Sequence, residues 1–317
     1  AGTGSNATAL LVARGATLIA EGTADSPIIF TSVADEIVPG EVASPNLDPT
    51  LNGLWGGVIV LGNATISADA ASVQIEGIPA SDQNGLYGGD DDADNSGSIK
   101  YVSIRHGGAN IGEGNEINGL TLGGVGSGTT IENVEIVSNQ DDGIEWFGGA
   151  VSVSNVVVWN TGDDAIDTDQ AWSGTLNNFV ILNPGDECFE LDGGEGNFNN
   201  MHTITNGSVS AQGAEGLADL DDKGAAGTVG NSYVDMSNIY FFDVTYGQDF
   251  DDNPADLTAA GFELTVPSDT LEVSDFFVDG VADAVTIVAA GANTIGADMS
   301  KFTGWSWAAV SGALDGF

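Results

Sequence analysis

Short runs in which apolar and polar residues alternate recur through the middle of the chain, and they can be laid over one another. Ile131-Glu-Asn-Val-Glu-Ile-Val, Val153-Ser-Asn-Val-Val-Val-Trp, Leu176-Asn-Asn-Phe-Val-Ile-Leu and Asn199-Asn-Met-His-Thr-Ile-Thr align, and Met236-Ser-Asn-Ile-Tyr-Phe-Phe continues the series. The anchoring asparagines Asn133, Asn155, Asn178 and Asn200 are 22, 23 and 22 residues apart, with a longer excursion before Asn238. A repeat of this length is one supersecondary unit that buries its apolar face by stacking on its neighbours. Period-2 alternation after each asparagine predicts interior ladders of Val134/Ile136, Val156/Val158, Phe179/Ile181, Met201/Thr203 and Ile239/Phe241. The asparagines themselves are expected to form a turn ladder, their side chains bonding their own backbones.

A second set of short runs lies between these: Gly143-Ile-Glu-Trp-Phe, Ala165-Ile-Asp-Thr-Asp, Cys188-Phe-Glu-Leu-Asp and Gly216-Leu-Ala-Asp-Leu. Each repeat therefore holds several strands joined by turns of Gly, Asn or Asp. The fold class this predicts is all-β, a right-handed parallel β-helix with about 22 residues per coil. The whole chain, 1–317, reads as one such domain, with regular coils over 98–243. Looser coils precede them at Ala9-Leu-Leu-Val-Ala-Arg, Pro27-Ile-Ile-Phe-Thr and Trp55-Gly-Gly-Val-Ile-Val-Leu. Residues 33–54 and 76–97 read as loops protruding from the solenoid, and 244–317 as less regular coils with a C-terminal cap. Ala1-Gly-Thr-Gly enters without a capping helix, so the first coil is expected to offer an open edge for head-to-tail self-association.

Charge changes the picture more than composition does. Against 47 Asp and Glu the chain sets 5 Lys and Arg, a formal net charge of −42. Such a surface repels nucleic acid and anionic lipid, and its natural partners are metal cations or a saline medium. The chain is not expected to be disordered, because 42% of its residues are hydrophobic and they recur at strand period. No stretch is apolar enough to span a bilayer. The single cysteine, Cys188, has no intrachain partner and reads as a small buried hydrophobe.

Superposing the coils stacks acids as well as apolar residues. Asp142, Asp164 and Glu187 share one register, Glu145, Asp167 and Glu190 a second, and Asp169 and Asp192 a third. Neighbouring coils lie about 4.8 Å apart, where two like charges repel by roughly 1 kcal/mol in water and more at a low-dielectric surface. Protonation or hard cations can relieve this, and carboxylates with Gly-rich carbonyls are the donors calcium favours. Asp90, Asp92 and Asp94 alternate in the manner of a calcium loop, without the bidentate Glu of an EF-hand. A solvated acidic turn is the alternative there, as it is for Asp219/Asp221/Asp222 and Asp249/Asp251/Asp252. The metal candidates are thus Asp142, Asp164, Glu187, Glu145, Asp167, Glu190, Asp90, Asp92 and Asp94, with calcium as the cofactor.

Catalysis has weaker support. Asn160-Thr-Gly-Asp-Asp-Ala-Ile-Asp-Thr-Asp resembles the paired-aspartate stretch of pectin-hydrolysing β-helix glycosidases, which points to Asp163, Asp164 and Asp167. The basic motifs expected downstream are missing: after residue 170 there is one His, His202, and no Arg. A lyase would also call for Arg or Lys, and Lys100, Arg105 and His106 are better used to pair with surrounding carboxylates. Trp146, Trp159 and Trp172 recur every 13 residues, and either line a sugar-binding face or pack a core. The glycine-rich Gly123-Gly-Val-Gly-Ser-Gly lacks a following Lys and reads as a turn.

Asn115-Glu-Ile-Asn-Gly-Leu-Thr-Leu-Gly-Gly-Val-Gly-Ser-Gly-Thr, Asp141-Asp-Gly-Ile-Glu-Trp-Phe-Gly-Gly and Asp163-Asp-Ala-Ile-Asp-Thr-Asp together resemble secreted or lipoprotein-type parallel β-helix proteins of marine bacteria. Ala1-Gly-Thr-Gly-Ser-Asn, Gly22-Thr-Ala-Asp-Ser-Pro-Ile-Ile-Phe-Thr-Ser, Trp55-Gly-Gly-Val-Ile-Val and Gly304-Trp-Ser-Trp extend the resemblance over nearly the whole chain. It implies an extracellular or outer-surface location and further sequence before Ala1, and it carries no catalytic signature. The expected function is a non-enzymatic structural or adhesive protein, acidic and calcium-binding, able to self-assemble end to end. A polysaccharide-binding or polysaccharide-degrading protein, with extracellular glycans as partners, is the alternative.

Overall fold

The computed structural model of the chain describes residues 8–109, 117–268 and 270–317. The opening Ala1-Gly-Thr-Gly and the first residues of the Asn115 motif fall outside them. Two parallel sheets run the length of the solenoid. The first has seven strands, Ala9–Val12, Gly57–Leu61, Leu120–Gly123, Ile144–Phe147, Ile166–Asp169, Phe189–Leu191 and Asp219–Leu220. The second has eleven, and its long central members are Gly97–Arg105, Thr130–Val137, Val153–Trp159, Thr175–Leu182, His202–Ser210 and Val234–Phe242. From Leu120 to Phe242 the chain alternates between the sheets, each coil adding one parallel strand to each, so this is an all-β parallel β-helix. No helix among the described residues is long and apolar enough to cross a membrane.

The interior ladders form as the alternation predicts in four of the five coils. Val134 lies beside Val156 and Val156 beside Phe179; Ile136, Val158 and Ile181 form the next row, and all are buried. The fourth coil differs. Asn178 is matched by Asn206 rather than Asn200, because the register pairs Asn177 with Thr205 and Phe179 with Gly207. Met201 is instead 46% exposed, and Gly207 and Val209 take the predicted places of Met201 and Thr203. The reason is steric: a Cβ at Gly207 would lie 2.1 Å from the Phe179 ring. The big ring needs a bare backbone beside it, and Gly207 supplies one. The chain reaches that register through an inserted loop over residues 193–200.

Asn133, Asn155, Asn178, Asn206 and Asn238 all have φ between 57° and 62°. Asparagine is the ordinary side chain that best tolerates this left-handed conformation, which bends each strand around a corner of the solenoid. Their amides bond from coil to coil, not to their own backbones. The Asn178 Nδ2 donates to Asn155 Oδ1 at 2.8 Å, Asn206 Nδ2 to Asn177 Oδ1 at 2.7 Å and Asn238 Nδ2 to Asn206 Oδ1 at 3.3 Å. A second left-handed column, His106, Ser138, Asn160 and Asn183, marks the next corner. Pro49, in the 33–54 loop, offers its carbonyl oxygen to both Ser138 Oγ and Asn160 Nδ2.

Both sheets are covered from outside. The alternate, outward residues Val137, Val157, Trp159, Val180 and Leu182 are apolar, and Phe302, Trp305, Trp307 and Ala308 pack over them. The last residues therefore do not simply cap the final coil; they run back along the side of the solenoid. Ala297 N donates to Ser208 Oγ at 3.0 Å, Asp298 N to Asn178 Oδ1 at 2.6 Å and Ala308 N to Glu135 Oε1 at 2.9 Å. The Arg105 guanidinium, buried with Glu135, sits 4.8 Å over the Trp307 ring. Trp146 and Trp172 stack at 4.6 Å inside the solenoid, whereas Trp159 faces outward against Trp307, so the three tryptophans share no sugar-binding face. Cys188 is buried in the same interior, where desolvation pushes its thiol pKa far up.

Asn178 separates the backbone and side-chain contributions to the asparagine ladder. Asn178→Ala is expected to destabilise by ~2–4 kcal/mol, the sum of a left-handed backbone cost and lost hydrogen bonds. Asn178→Gly loses the bonds alone and should cost about 1–2 kcal/mol less. Equal denaturant midpoints for the two variants would show that φ is not what selects asparagine here.

Candidate metal centre

In the strand Ile144–Phe147 the side chains of Ile144 and Trp146 fill the interior, which turns Glu145 to the outer face of the seven-stranded sheet. Pairing then stacks a column along that face: Thr121, Glu145, Asp167, Glu190 and Asp219. A second column stands at the preceding turn, where Asp164 N donates to Asp142 Oδ1 at 3.0 Å and Glu187 N to Asp164 Oδ1 at 2.6 Å. Each of these carboxylates thus accepts from the backbone of the next coil. The fixed register comes from the equal lengths of these coils, and it brings acids within reach of one another that are more than twenty residues apart in sequence.

An outward carboxylate at a sheet face is normally wet, yet Glu145 is 5% exposed and Asp142 and Asp167 are 7% exposed. The cover is the segment 62–89. It contains the antiparallel pair Val73–Gln74 and Leu86–Tyr87, and it lays Ile66, Ile75 and Tyr87 against Ile59, Leu61 and Phe147. This part of the chain folds down over the acidic face instead of protruding. It is pinned on the far side, where Tyr87 Oη donates to Gln170 Oε1 at 3.0 Å and Ser67 Oγ to the Phe198 carbonyl at 2.6 Å. Phe198 belongs to the inserted loop 193–200, so that loop and the cover hold each other. The cover also brings Glu76 to Asn118, whose Nδ2 donates to Glu76 Oε1 at 3.3 Å and to Glu145 Oε2.

Among the described residues two groups of three acids place one oxygen each within 4.8 Å of one another: Asp142, Glu145 and Asp167, all buried, and Asp141, Asp142 and Asp163. Asp164, Glu187 and Glu190 flank these groups without completing a third. Asp90, Asp92 and Asp94 are not brought together. Asp92 Oδ1 accepts from Thr65 N at 2.8 Å and Asp94 Oδ1 from Asn63 Nδ2 at 3.1 Å, so these acids tie the base of the cover down. Asn118 and Glu76 escaped the sequence reading. Asn118 precedes a strand in the register of the acidic turns, but nothing in the sequence shows that Glu76 returns to it.

Burial is the main reason these acids hold their protons tightly. It raises Asp142, Glu145 and Asp167 well above the ordinary carboxylate range, with neighbouring carboxylates adding to the effect. Asp164 is pushed up to about 11 by burial, then by its hydrogen bond with Glu190 and the Asp142 charge. Asp169 rises to about 8, Asp192 to about 7 and Glu187 to about 7, again chiefly through desolvation. Among the described residues no basic side chain pairs with Asp142, Glu145 or Asp167, and Lys223, held by Asp221, only partly offsets Asp192 at the margin. Lys100 pairs with Glu132 at 3.1 Å and Arg105 with Glu135 at 3.6 Å on the other sheet, while Arg14 bonds Ser72 and the Gly88 carbonyl. Without a cation the buried members Asp142, Glu145 and Asp167 keep their protons beyond the ordinary carboxylate range. The donors on this face are all oxygen, and Asn118 adds a carbonyl: it is fully buried and its Oδ1 has no protein partner. Hard divalent cations fit that donor set, and soft thiophilic ones do not.

The pH dependence follows from the direction of these shifts. Folded carboxyls that keep their protons to about 7 or 8 bind more protons than unfolded ones above pH about 4, so stability falls as pH rises across that window. In chelator, the melting temperature is expected to decline between those limits, and to decline less in Asp192→Asn and Asp169→Asn. A flat calorimetric profile would mean the acids are not desolvated in the native state.

No characterised protein and no solved structure matches the chain. One family model, described as a pectate-lyase-like β-helix domain, matches residues 1–308. Coverage of nearly the whole chain, together with two parallel sheets built one strand per coil, places this protein in the pectate-lyase-like β-helix family.

Proposed function

We propose that this is a non-enzymatic extracellular β-helix protein, structural or adhesive in role, whose acidic sheet face is neutralised by bound calcium. The observation that carries the reading is the buried triad Asp142, Glu145 and Asp167, with oxygens within 4.8 Å and, among the described residues, no basic side chain paired to it. At an effective dielectric of about 20, two carboxylates at 4 Å repel by ~4 kcal/mol. A divalent ion among three of them turns that repulsion into attraction and removes the need for protons at neutral pH. Asn118 Oδ1 supplies a neutral oxygen, and Glu76 brings a further carboxylate from the cover, so an ion here would fasten segment 62–89 to the solenoid. The overall charge of −42 suits a medium rich in divalent cations.

Calcium should then raise stability, since a ligand held by the native state alone does so by mass action: ~2.7 kcal/mol at a concentration about a hundredfold above Kd. Calorimetry at pH 8 with calcium and with chelator measures this directly. Glu145→Gln is expected to lose a large part of this calcium response, while its stability in chelator is equal to or above that of the unmodified chain. An unmodified protein indifferent to chelation would end the calcium reading.

A polysaccharide-directed role is the second reading. It is favoured by the description of the family and by Glu187, Glu190 and Asp192, which remain half-buried at the margin of the covered triad. On the first reading, incubation with pectate and other acidic polysaccharides releases no reducing ends. Release that disappears in Asp164→Asn would replace the first reading with the second.

A further inference from the structure

The two groups of acids are not separate. Asp142 belongs to both, within reach of Glu145 and Asp167 in one group and of Asp141 and Asp163 in the other. We infer that the acidic face holds two divalent cations bridged by the Asp142 carboxylate, an inner ion with Glu145 and Asp167 and an outer ion with Asp141 and Asp163. This rests on the cation-loaded reading above and extends it to a dinuclear site.

Charge count, ligand geometry and burial each support it. The two groups comprise five carboxylates, Asp141, Asp142, Glu145, Asp163 and Asp167. One divalent ion leaves three negative charges uncompensated in a region where Asp142, Glu145 and Asp167 are almost fully out of water; two ions leave one. A carboxylate presents an oxygen to each side, and a bridging geometry of this kind holds two metals about 3.5–4 Å apart. Asp142 Oδ1 already accepts the Asp164 amide, which restrains that carboxylate.

The second observation is Asn118. Its amide lies against Glu145 and Glu76, it is fully buried, and its Oδ1 has no protein partner. A buried carbonyl oxygen beside ionised carboxylates finds no donor there, and once those acids give up their protons a cation is the partner that satisfies both. The two positions also differ in exposure. The inner ligands are buried beneath segment 62–89, whereas Asp141 and Asp163 are half-buried. The inner ion is therefore held mainly by protein oxygens, and the outer ion keeps several of its waters.

Terbium, a hard oxygen-seeking ion whose luminescence lifetimes in H2O and D2O count its bound waters, reads both stoichiometry and hydration. Two terbium ions per chain, both displaced by calcium, are expected, with one short-lived and one long-lived emission in H2O. Asp163→Asn should remove the short-lived ion alone, Glu145→Gln the long-lived ion alone and Asp142→Asn both. Each substitution deletes a crowded negative charge at constant shape, and far-UV circular dichroism confirms that the variant is folded. A single long-lived ion, lost in Glu145→Gln and untouched by Asp163→Asn, would overturn the dinuclear site while leaving the calcium reading in place. Two ions that survive Asp142→Asn would overturn the bridge. No stoichiometric ion would overturn both.

Discussion

Parallel strands at about 4.8 Å spacing, each bonded to the same sheet position in the coil before and after it, set the terms for everything else in this molecule. The pairing is indifferent to side chains, but it stacks whatever the sequence places at a given step. Valine on valine gives an interior, asparagine on asparagine gives a corner tied by amides, and acid on acid gives a repulsive column. The first two are stabilising as they stand. The third needs a counter-charge or protons, and so the backbone register that makes the fold inexpensive to repeat also makes its acidic face chemically demanding.

The remaining architecture answers the exposed sides of that stack. On the eleven-stranded sheet the outward patch of Val137, Val157, Trp159, Val180 and Leu182 is apolar, and the tryptophans of 302–308 cover it. On the seven-stranded sheet the outward residues set acids beside Ile59, Leu61 and Phe147, and segment 62–89 covers them while carrying one more acid, Glu76, inward. Covering a hydrophobic face gains free energy from the area removed from water, about 25 cal/mol per Å². Covering a carboxylate face loses it unless the charges are neutralised. The two covers look alike in outline and differ in what they require from solution.

Much of this was legible from residue order. The coils and most interior ladders followed from period-2 alternation, and the acidic registers followed because three successive coils have nearly equal length. Reading failed where a loop was inserted: Asn200 and Asn206 are both plausible anchors, and the choice turns on the space the Phe179 ring takes at Gly207. The corner asparagines were recognised, but their amides reach along the stack and not to their own backbones. The covers were the larger omission, although each left a trace. Val156-Val-Val-Trp is apolar on both faces, which a strand with a solvated side would not be, and Ile66, Ile75 and Tyr87 are too apolar for a segment in water. The spacing of Asp90, Asp92 and Asp94 says nothing of where their carboxylates go, and here they brace the cover.

The backward run of residues 297–317 alters how the molecule comes apart. A plain solenoid is a stack in which each coil touches its two neighbours, so it can peel from an end one layer at a time. Here the segment after the last coils reaches Ser208, then Asn178, then Glu135, and Phe317 returns to lie edge-on against Phe242 at 4.7 Å. Peeling the final layer inward must first strip Trp305 and Trp307 from strands several layers away. Tension applied at that end is therefore shared by the middle of the rod, and a modular stack becomes a laced one that yields all together.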